Sequence, residues 1–208
     1  NAGDAIASGG NYNTVVGDEA GTAITTGDGM VAIGYQALMT EDTQGYSTAV
    51  GSGALALQNA GASAFNVAVG HEAGTAVSTG VQNTLVGTYA GHDLNTGSFN
   101  VAMGLNALSL GTSLGSTVAI GYTAGKTLAT ANNNTIIGSQ AGEIRTGAGN
   151  TIVGQYAGRD GTDGVDNTFI GRNSGYTITS GSKNSILGMF SGNQDGVDIR
   201  TADNHIVL

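Results

Sequence analysis

Apolar residues return along this chain in short bursts of three, and each burst ends on a glycine. Glycine stands at positions 17, 34, 51, 70, 87, 104, 121, 138, 154, 171 and 188, in steps of 17 residues with one of 19 and one of 16. Aligned on those glycines, the preceding residue is aliphatic in all eleven copies: Val16, Ile33, Val50, Val69, Val86, Met103, Ile120, Ile137, Val153, Ile170 and Leu187. Two residues earlier the copies carry Thr14, Val31, Thr48, Val67, Thr84, Val101, Val118, Thr135, Thr151, Thr168 and Ser185, and β-branched side chains of this kind favour extended backbone. The residue between these two points the opposite way. It is small in Ala32, Ala49, Ala68, Ala102 and Ala119, and large in Leu85, Ile136, Ile152, Phe169 and Ile186. A three-residue strand that is apolar on both faces predicts burial on both sides.

The remaining columns read as turns. Asn precedes the strand in eight copies (Asn13, Asn66, Asn83, Asn100, Asn134, Asn150, Asn167, Asn184), where its side chain bonds nearby backbone or stacks into a ladder. Three residues past the anchor glycine comes Ala, or Ser174 and Ser191, followed by Gly or Leu, as a tight corner requires. A second glycine column (Gly27, Gly61, Gly80, Gly97, Gly164, Gly181) marks another bend ten residues past the first. Each repeat therefore predicts strand, corner, short second strand and bend. A helical repeat is excluded by the 37 glycines, each of which costs a helix interior about 1 kcal/mol. The absence of proline fits strands paired on both sides.

The fold class that follows is all-β: a parallel β-solenoid or β-roll of eleven 17-residue coils over residues 11–192, with a lead-in at 1–10 and an exit segment at 193–208 carrying a final strand. Stacked about 4.8 Å apart, eleven or twelve coils make a rod on the order of 55 Å long. The column from Val16 to Leu187 is expected inside. The opposite strand face, carrying Ala32, Ala49, Ala68, Ala102, Ala119, Ile136, Ile152 and Phe169, is expected to lie outside and to close a homotrimer, because an apolar stripe in water marks an interface. On that arrangement the Ala-to-Phe gradient widens the trimer axis toward the C-terminal end. Neither terminus offers a polar cap, so further chain or another molecule is expected at both ends.

Composition narrows the chemistry. The net charge is −9 and only six Lys and Arg occur, scattered from Lys126 to Arg200, which is not the basic stripe that nucleic acid requires. No apolar run has the length of a membrane span. There is no cysteine, hence no disulfide and no thiolate site. The unit Val16-Gly17-Asp18-Glu19-Ala20 looks like the aliphatic-Gly-x-x-small unit of hexapeptide acyltransferases, but there it recurs three times per coil and here once per repeat. His71, His92 and His205 share no column that would make one a general base. Glu19 and Glu72 share a column yet lie three repeats apart, roughly 14 Å at strand spacing, too far for a glycosidase pair. The turns at Asp160, Asp163 and Asp166 and at Asp195 and Asp198 offer calcium-type oxygens, but Asp and Gly are also ordinary bend residues and the spacing matches no calcium loop. The Thr column is broken by valines, which argues against an ice-binding ladder. No catalytic, cofactor or metal residue is assigned. Aromatic side chains just past the anchor glycine, Tyr35, Tyr89, Tyr122 and Tyr156, with Phe190 after them, are the candidate receptor contacts, since sugar rings stack on such faces.

The phrases Asn150 to Gly158 (Asn-Thr-Ile-Val-Gly-Gln-Tyr-Ala-Gly), Asn83 to Gly91 (Asn-Thr-Leu-Val-Gly-Thr-Tyr-Ala-Gly) and Val31 to Leu38 (Val-Ala-Ile-Gly-Tyr-Gln-Ala-Leu) resemble two related groups. One is the repeat region of bacteriophage tail fibres; the other is the head of trimeric autotransporter adhesins. The likeness spans residues 11–192. It implies left-handed parallel β-rolls in a homotrimer on a virion tail or, alternatively, on a bacterial outer surface, binding a cell-surface receptor such as a glycan without catalysis. The period favours the phage group, as adhesin heads run at a shorter unit, and the closing stretch Asn193 to Leu208 looks like the exit from phage fibre repeats. A self-assembling extracellular filament is the third reading.

Overall fold

A computed structural model describes residues 1–6, 10–43 and 45–208; residues 7–9 of the expected lead-in fall outside them. The strands are β1 Thr14–Val16, β2 Val31–Ile33, β3 Thr48–Val50, β4 Val67–Val69, β5 Thr84–Val86, β6 Val101–Met103, β7 Val118–Ile120, β8 Thr135–Ile137, β9 Thr151–Val153, β10 Thr168–Ile170, β11 Ser185–Leu187, β12 Asn193–Gln194, β13 Val197–Asp198 and β14 Ile206–Val207. β1 to β11 and then β14 form one twelve-stranded sheet in sequence order, and every neighbouring pair is parallel. Register follows the repeat column by column: Ala102 pairs with Ala119, and Met103 with Ile120. Where the step is 19 or 16 residues the columns still align, Ala49 on Ala68 and Ile136 on Ile152. The chain is thus the parallel β-solenoid that its period predicts. The exit segment forms a small antiparallel hairpin, β12 with β13, before β14 rejoins the main sheet on β11.

Two columns hold the coils together. The first is the asparagine ladder. Asn83 Oδ1 accepts the backbone N–H (3.0 Å) and the side-chain amide (3.1 Å) of Asn100 one coil on, while Asn83 Nδ2 donates across the coil to Gly97 O at 2.9 Å. Each buried amide satisfies its neighbours' orphan groups as well as its own. The ladder runs to the last coil, where Asn184 Oδ1 accepts from the His205 N–H. The second is the anchor glycine. Gly104 has φ +131°, and an added Cβ would meet Gly121 O at 2.6 Å, so any side chain there would push the coils apart.

The facing of the strands reverses the expectation. The middle residue is the buried one: Ala32, Ala49, Ala68, Leu85, Ala102, Ala119, Ile136, Ile152 and Phe169 are fully inaccessible and Ile186 nearly so. The column from Val16 to Leu187 is partly or largely exposed in every coil. The row expected at a trimer axis is therefore the core, and the row expected inside faces out. A three-residue strand sends one side chain one way and two the other. A narrow coil has room for the single row, because three further columns already fill its interior.

Those columns are the alanines three residues past the anchor (Ala20 to Ala157), the Gly or Leu after them, and a row three further on that includes Ile24, Val77, Leu94, Leu128 and Ile178. Volumes compensate along the rod. Coils with Ala32, Ala49 or Ala102 in the strand carry buried Leu38, Leu55 or Leu108 at the corner. Coils with Leu85, Ile136, Ile152 or Phe169 carry Gly91, Gly142, Gly158 or Gly175, and an added Cβ at each of these glycines would run into the large strand residue of its own coil. The coils of Ala68 and Ala119 carry Gly74 and Gly125, and there the space is filled from the adjacent coils, by Leu55 and Leu85 and by Leu108 and Ile136; the Ala-to-Phe gradient is thus absorbed inside the stack of coils, not at an axis between chains. Among the described residues the second strand of the repeat is not formed beyond an isolated parallel bridge between Ser98 and Gly115. Past the anchor the backbone turns through left-handed residues, as at Glu72 (φ 51°) and Tyr89 (φ 57°), and its bonds alternate between local turns (Ala73 N to Gly70 O) and the next coil (Gly74 N to Ala90 O).

Candidate functional site

The outer sheet face is one candidate surface. Beside the exposed aliphatic row, five residues before the anchor glycine, stand Tyr12, Tyr46, Phe65 and Phe99, all exposed and all with φ between 52° and 67°. The Tyr46 and Phe65 rings stack with centroids 5.6 Å apart and planes 10° off parallel. Tyr46 also covers Gly29 of the preceding coil, where an added Cβ would meet its ring at 3.0 Å. From Ser116 onward the same column is Ser116, Asn133, Gly149, Asp166 and Lys183. Sequence reasoning missed this aromatic row, though its constant offset from the glycine was a usable signal. The outer face is consequently broad and aromatic over the first coils and narrower over the last.

The corner edge is the second surface. Here the structure separates the four tyrosines named from sequence. Tyr35 and Tyr122, one residue past the anchor, are about half exposed (49% and 50%) and make no ring contact among the described residues. Tyr89 and Tyr156, two residues past it, are half-buried in clusters. His71 and His92 flank the Tyr89 ring edge-on, with centroids at 5.4 and 5.6 Å. His92 is held by two carboxylates, Asp93 Oδ1 at 2.6 Å from Nδ1 and Glu72 Oε2 at 3.2 Å from Nε2, while Glu72 Oε1 lies 3.4 Å from His71 Nε2. Histidines that share no column are thus brought together across one coil step. Glu19, which shares a column with Glu72, is engaged elsewhere and accepts from Gln36 Nε2 at 2.6 Å.

Beside this cluster lies a shallow hollow of about 210 Å³ lined by Tyr89, His92, Asn106, Ser109, Leu110 and Lys126. His92 Nε2 is turned to Glu72 and not to the Ser109 hydroxyl, so serine and histidine are not set as nucleophile and base. What the hollow offers is recognition chemistry: an aromatic face, an aliphatic patch, an amide, a hydroxyl and an ammonium.

Farther along the same edge, Arg159 Nε donates to Glu143 Oε2 at 3.1 Å and its NH1 to the Tyr176 hydroxyl at 2.7 Å, with its Cζ 5.8 Å from the Tyr156 centroid and 5.7 Å from that of Tyr176. Desolvation pulls the Arg159 pKa down, but the bonds to Glu143 and Tyr176 outweigh it and the net shift is upward. In the exit segment, two side-chain hydrogen bonds and one backbone hydrogen bond from Arg200 hold the exposed Asp198 carboxylate below its ordinary range. Arg145 differs from both. It occupies the core row of Ile24 and Leu128, fully buried, donating to Gly164 O (2.9 Å) and Ile178 O (3.3 Å) and lying 5.3 Å from the Phe169 centroid. Burial pulls its pKa down to about 10, offset in part by Asp163. Gly161 makes the room, since an added Cβ there would strike the guanidinium.

Among the described residues no group of three or more His, Asp or Glu side chains is arranged to hold a metal ion, the Asp160–Asp166 and Asp195–Asp198 turns included. No helix among them is long and apolar enough to cross a membrane. Comparison with protein-family models, with curated proteins and with solved structures finds no match to this chain.

Proposed function

We propose that this chain is the repeat region of a non-enzymatic attachment fibre: a homotrimeric rod on the outside of a phage tail that contributes to host-surface binding. The observation that carries the reading is the continuous outer face, on which an aliphatic strand row, a second row of Thr, Ser and Val, and a partial aromatic row stay at least partly exposed through the coils in fixed register. At strand spacing it is on the order of 55 Å long and, across three residues, roughly 10 Å wide. With the aromatics added it reaches or exceeds the few hundred Å² that monomers commonly expose. Identical chains packed on this face would bury it, and cyclic closure leaves no copy unpaired. The trimer interface thereby moves to the rows of Val16–Leu187 and Thr14–Ser185. The edges remain free to meet a receptor, where three copies of a weak site raise avidity through effective concentration. The resemblance of the Asn-Thr-Ile-Val-Gly phrases to tail-fibre repeats supports the phage setting over a bacterial adhesin head.

Two measurements test this. Light scattering on the purified protein should give three chains per particle; a monomer at micromolar concentration removes the trimer. The protein should also compete with phage for adsorption to host cells while producing no shorter products from host polysaccharide. Product formation that depends on Glu19 or Glu72 overturns the non-enzymatic reading. Unchanged adsorption after deletion of the repeats makes the segment a spacer.

A further inference from the structure

We infer that the hollow at Tyr89 is a subsite for an acidic sugar, a pyranose carrying a carboxylate, on the attachment edge. The inference rests on the attachment reading and adds its ligand class.

The hollow combines a rigid wall with free polar groups. Tyr89 is fixed by the two imidazoles on either side of it, and His92 is in turn fixed by Asp93 and Glu72. The aromatic wall is therefore organised before any ligand arrives, which lowers the entropy lost on binding. On the other side, no hydrogen bond from the side chains of Asn106, Ser109 or Lys126 occurs among the described residues, and Lys126 has no carboxylate within ion-pair distance. The other five cations of the chain all follow Lys126 in sequence. Of these, Arg145 is buried, Arg159 and Arg200 are paired with Glu143 and Asp198, and Arg172 and Lys183, which form no ion pair among the described residues, do not line the hollow. An unpaired ammonium in a chain of net charge −9 is a selective place for a ligand anion.

Sugar chemistry meets each wall. The apolar face of a pyranose ring packs on Tyr89 and Leu110, ring hydroxyls reach Asn106 and Ser109, and the carboxylate reaches Lys126 through a charge-assisted bond. Glu72 and Asp93 hold His92 and do not themselves line the hollow. A nucleotide phosphate is a poorer fit, because these two carboxylates would repel a dianion more than a monoanion.

The test is an array of uronate- and sialate-containing oligosaccharides printed beside their carboxyl-reduced, neutral counterparts and probed with the intact protein. The acidic members should be retained and the neutral ones lost, and retention should fall as salt is raised. Lys126→Met should weaken acidic binding at least tenfold, with Lys126→Arg restoring it in part. Asn106→Asp should weaken it comparably by charge repulsion, and Arg172→Met, which removes an exposed cation outside the hollow, should leave it intact. Thermal melting separates loss of binding from loss of fold. Equal retention of neutral and acidic sugars, or acidic binding unaffected by Lys126→Met, overturns the subsite. Adsorption to cells without retention on the array also overturns it while leaving attachment standing; failure to adsorb to cells at all instead removes the attachment reading.

Discussion

The two faces of the eleven strands are both apolar, yet they do different work. The inner row changes size from Ala32 to Phe169 and is buried throughout, and each change is answered by Leu or Gly at the corner of the same or an adjacent coil. The outer row from Val16 to Leu187 hardly changes in character and remains partly in water, as far as 56% and 58% exposure at its two ends. A core row is constrained by volume, since interiors pack at crystal density and a mismatch of one methylene is felt. A face awaiting a flat partner is constrained mainly by polarity. Compensated variation therefore marks the inside of this rod, and its outside pairs a uniformly aliphatic row with one that is Thr or Ser in seven of the eleven coils.

The largest test places a charge in the inner row. Ala102→Lys buries an unpaired ammonium, which costs several kcal/mol, and should abolish the β circular dichroism signal; a folded monomer would return this row to an interface. Next, Phe169→Ala removes the largest side chain of the row and should lower stability by about 3–5 kcal/mol in urea unfolding, with a small effect locating Phe169 outside the core. A finer test exchanges one packing solution for the other. Ala102→Leu alone overfills its coil by about 1–3 kcal/mol, and Leu108→Gly alone leaves a cavity costing about 2–5 kcal/mol. Together they reproduce the Leu85 with Gly91 arrangement, so the double variant should be more stable than the sum of the single effects. Simple additivity would break the compensation argument. The smallest effect on the fold belongs to the outer row: Val86→Lys with Ile120→Lys should change the stability of the coils by no more than about 1 kcal/mol and retain β circular dichroism, while light scattering shows loss of assembly. Collapse of the fold in this variant would remove the distinction between the faces.

Much of this was readable in advance from particular residues. The anchor glycines gave the coil and its register, and the column from Asn66 to Asn184 gave the ladder, because such a position has like neighbours above and below except at Thr117, whose N–H and hydroxyl carry the ladder between Asn100 and Asn134. The corner clusters were not readable, since His71, Glu72, Tyr89, His92 and Asp93 occupy four different columns and the two coils' members meet only because one coil step brings His71 to Tyr89 and Glu72 to His92, 18 and 20 residues apart. Of the tyrosines chosen from sequence, Tyr89 and Tyr156 fall in such clusters and Tyr35 and Tyr122 do not. In the sequence Arg145 is one of six scattered cations. Its burial depends on the space left at Gly161 in the next coil.

The sequence by itself determined the period, the strand in each repeat, the parallel stacking and the asparagine ladder, since the glycine and strand pattern is copied eleven times and the asparagine eight times, and like neighbours reinforce them. Which strand face turns inward was decided only by the tertiary structure. Alternation along a strand separates two faces but cannot rank them when both are aliphatic. The ranking came from closing the coil, which has space for one strand row beside the alanine corner and the aliphatic row opposite, and so leaves the two flanking rows in water.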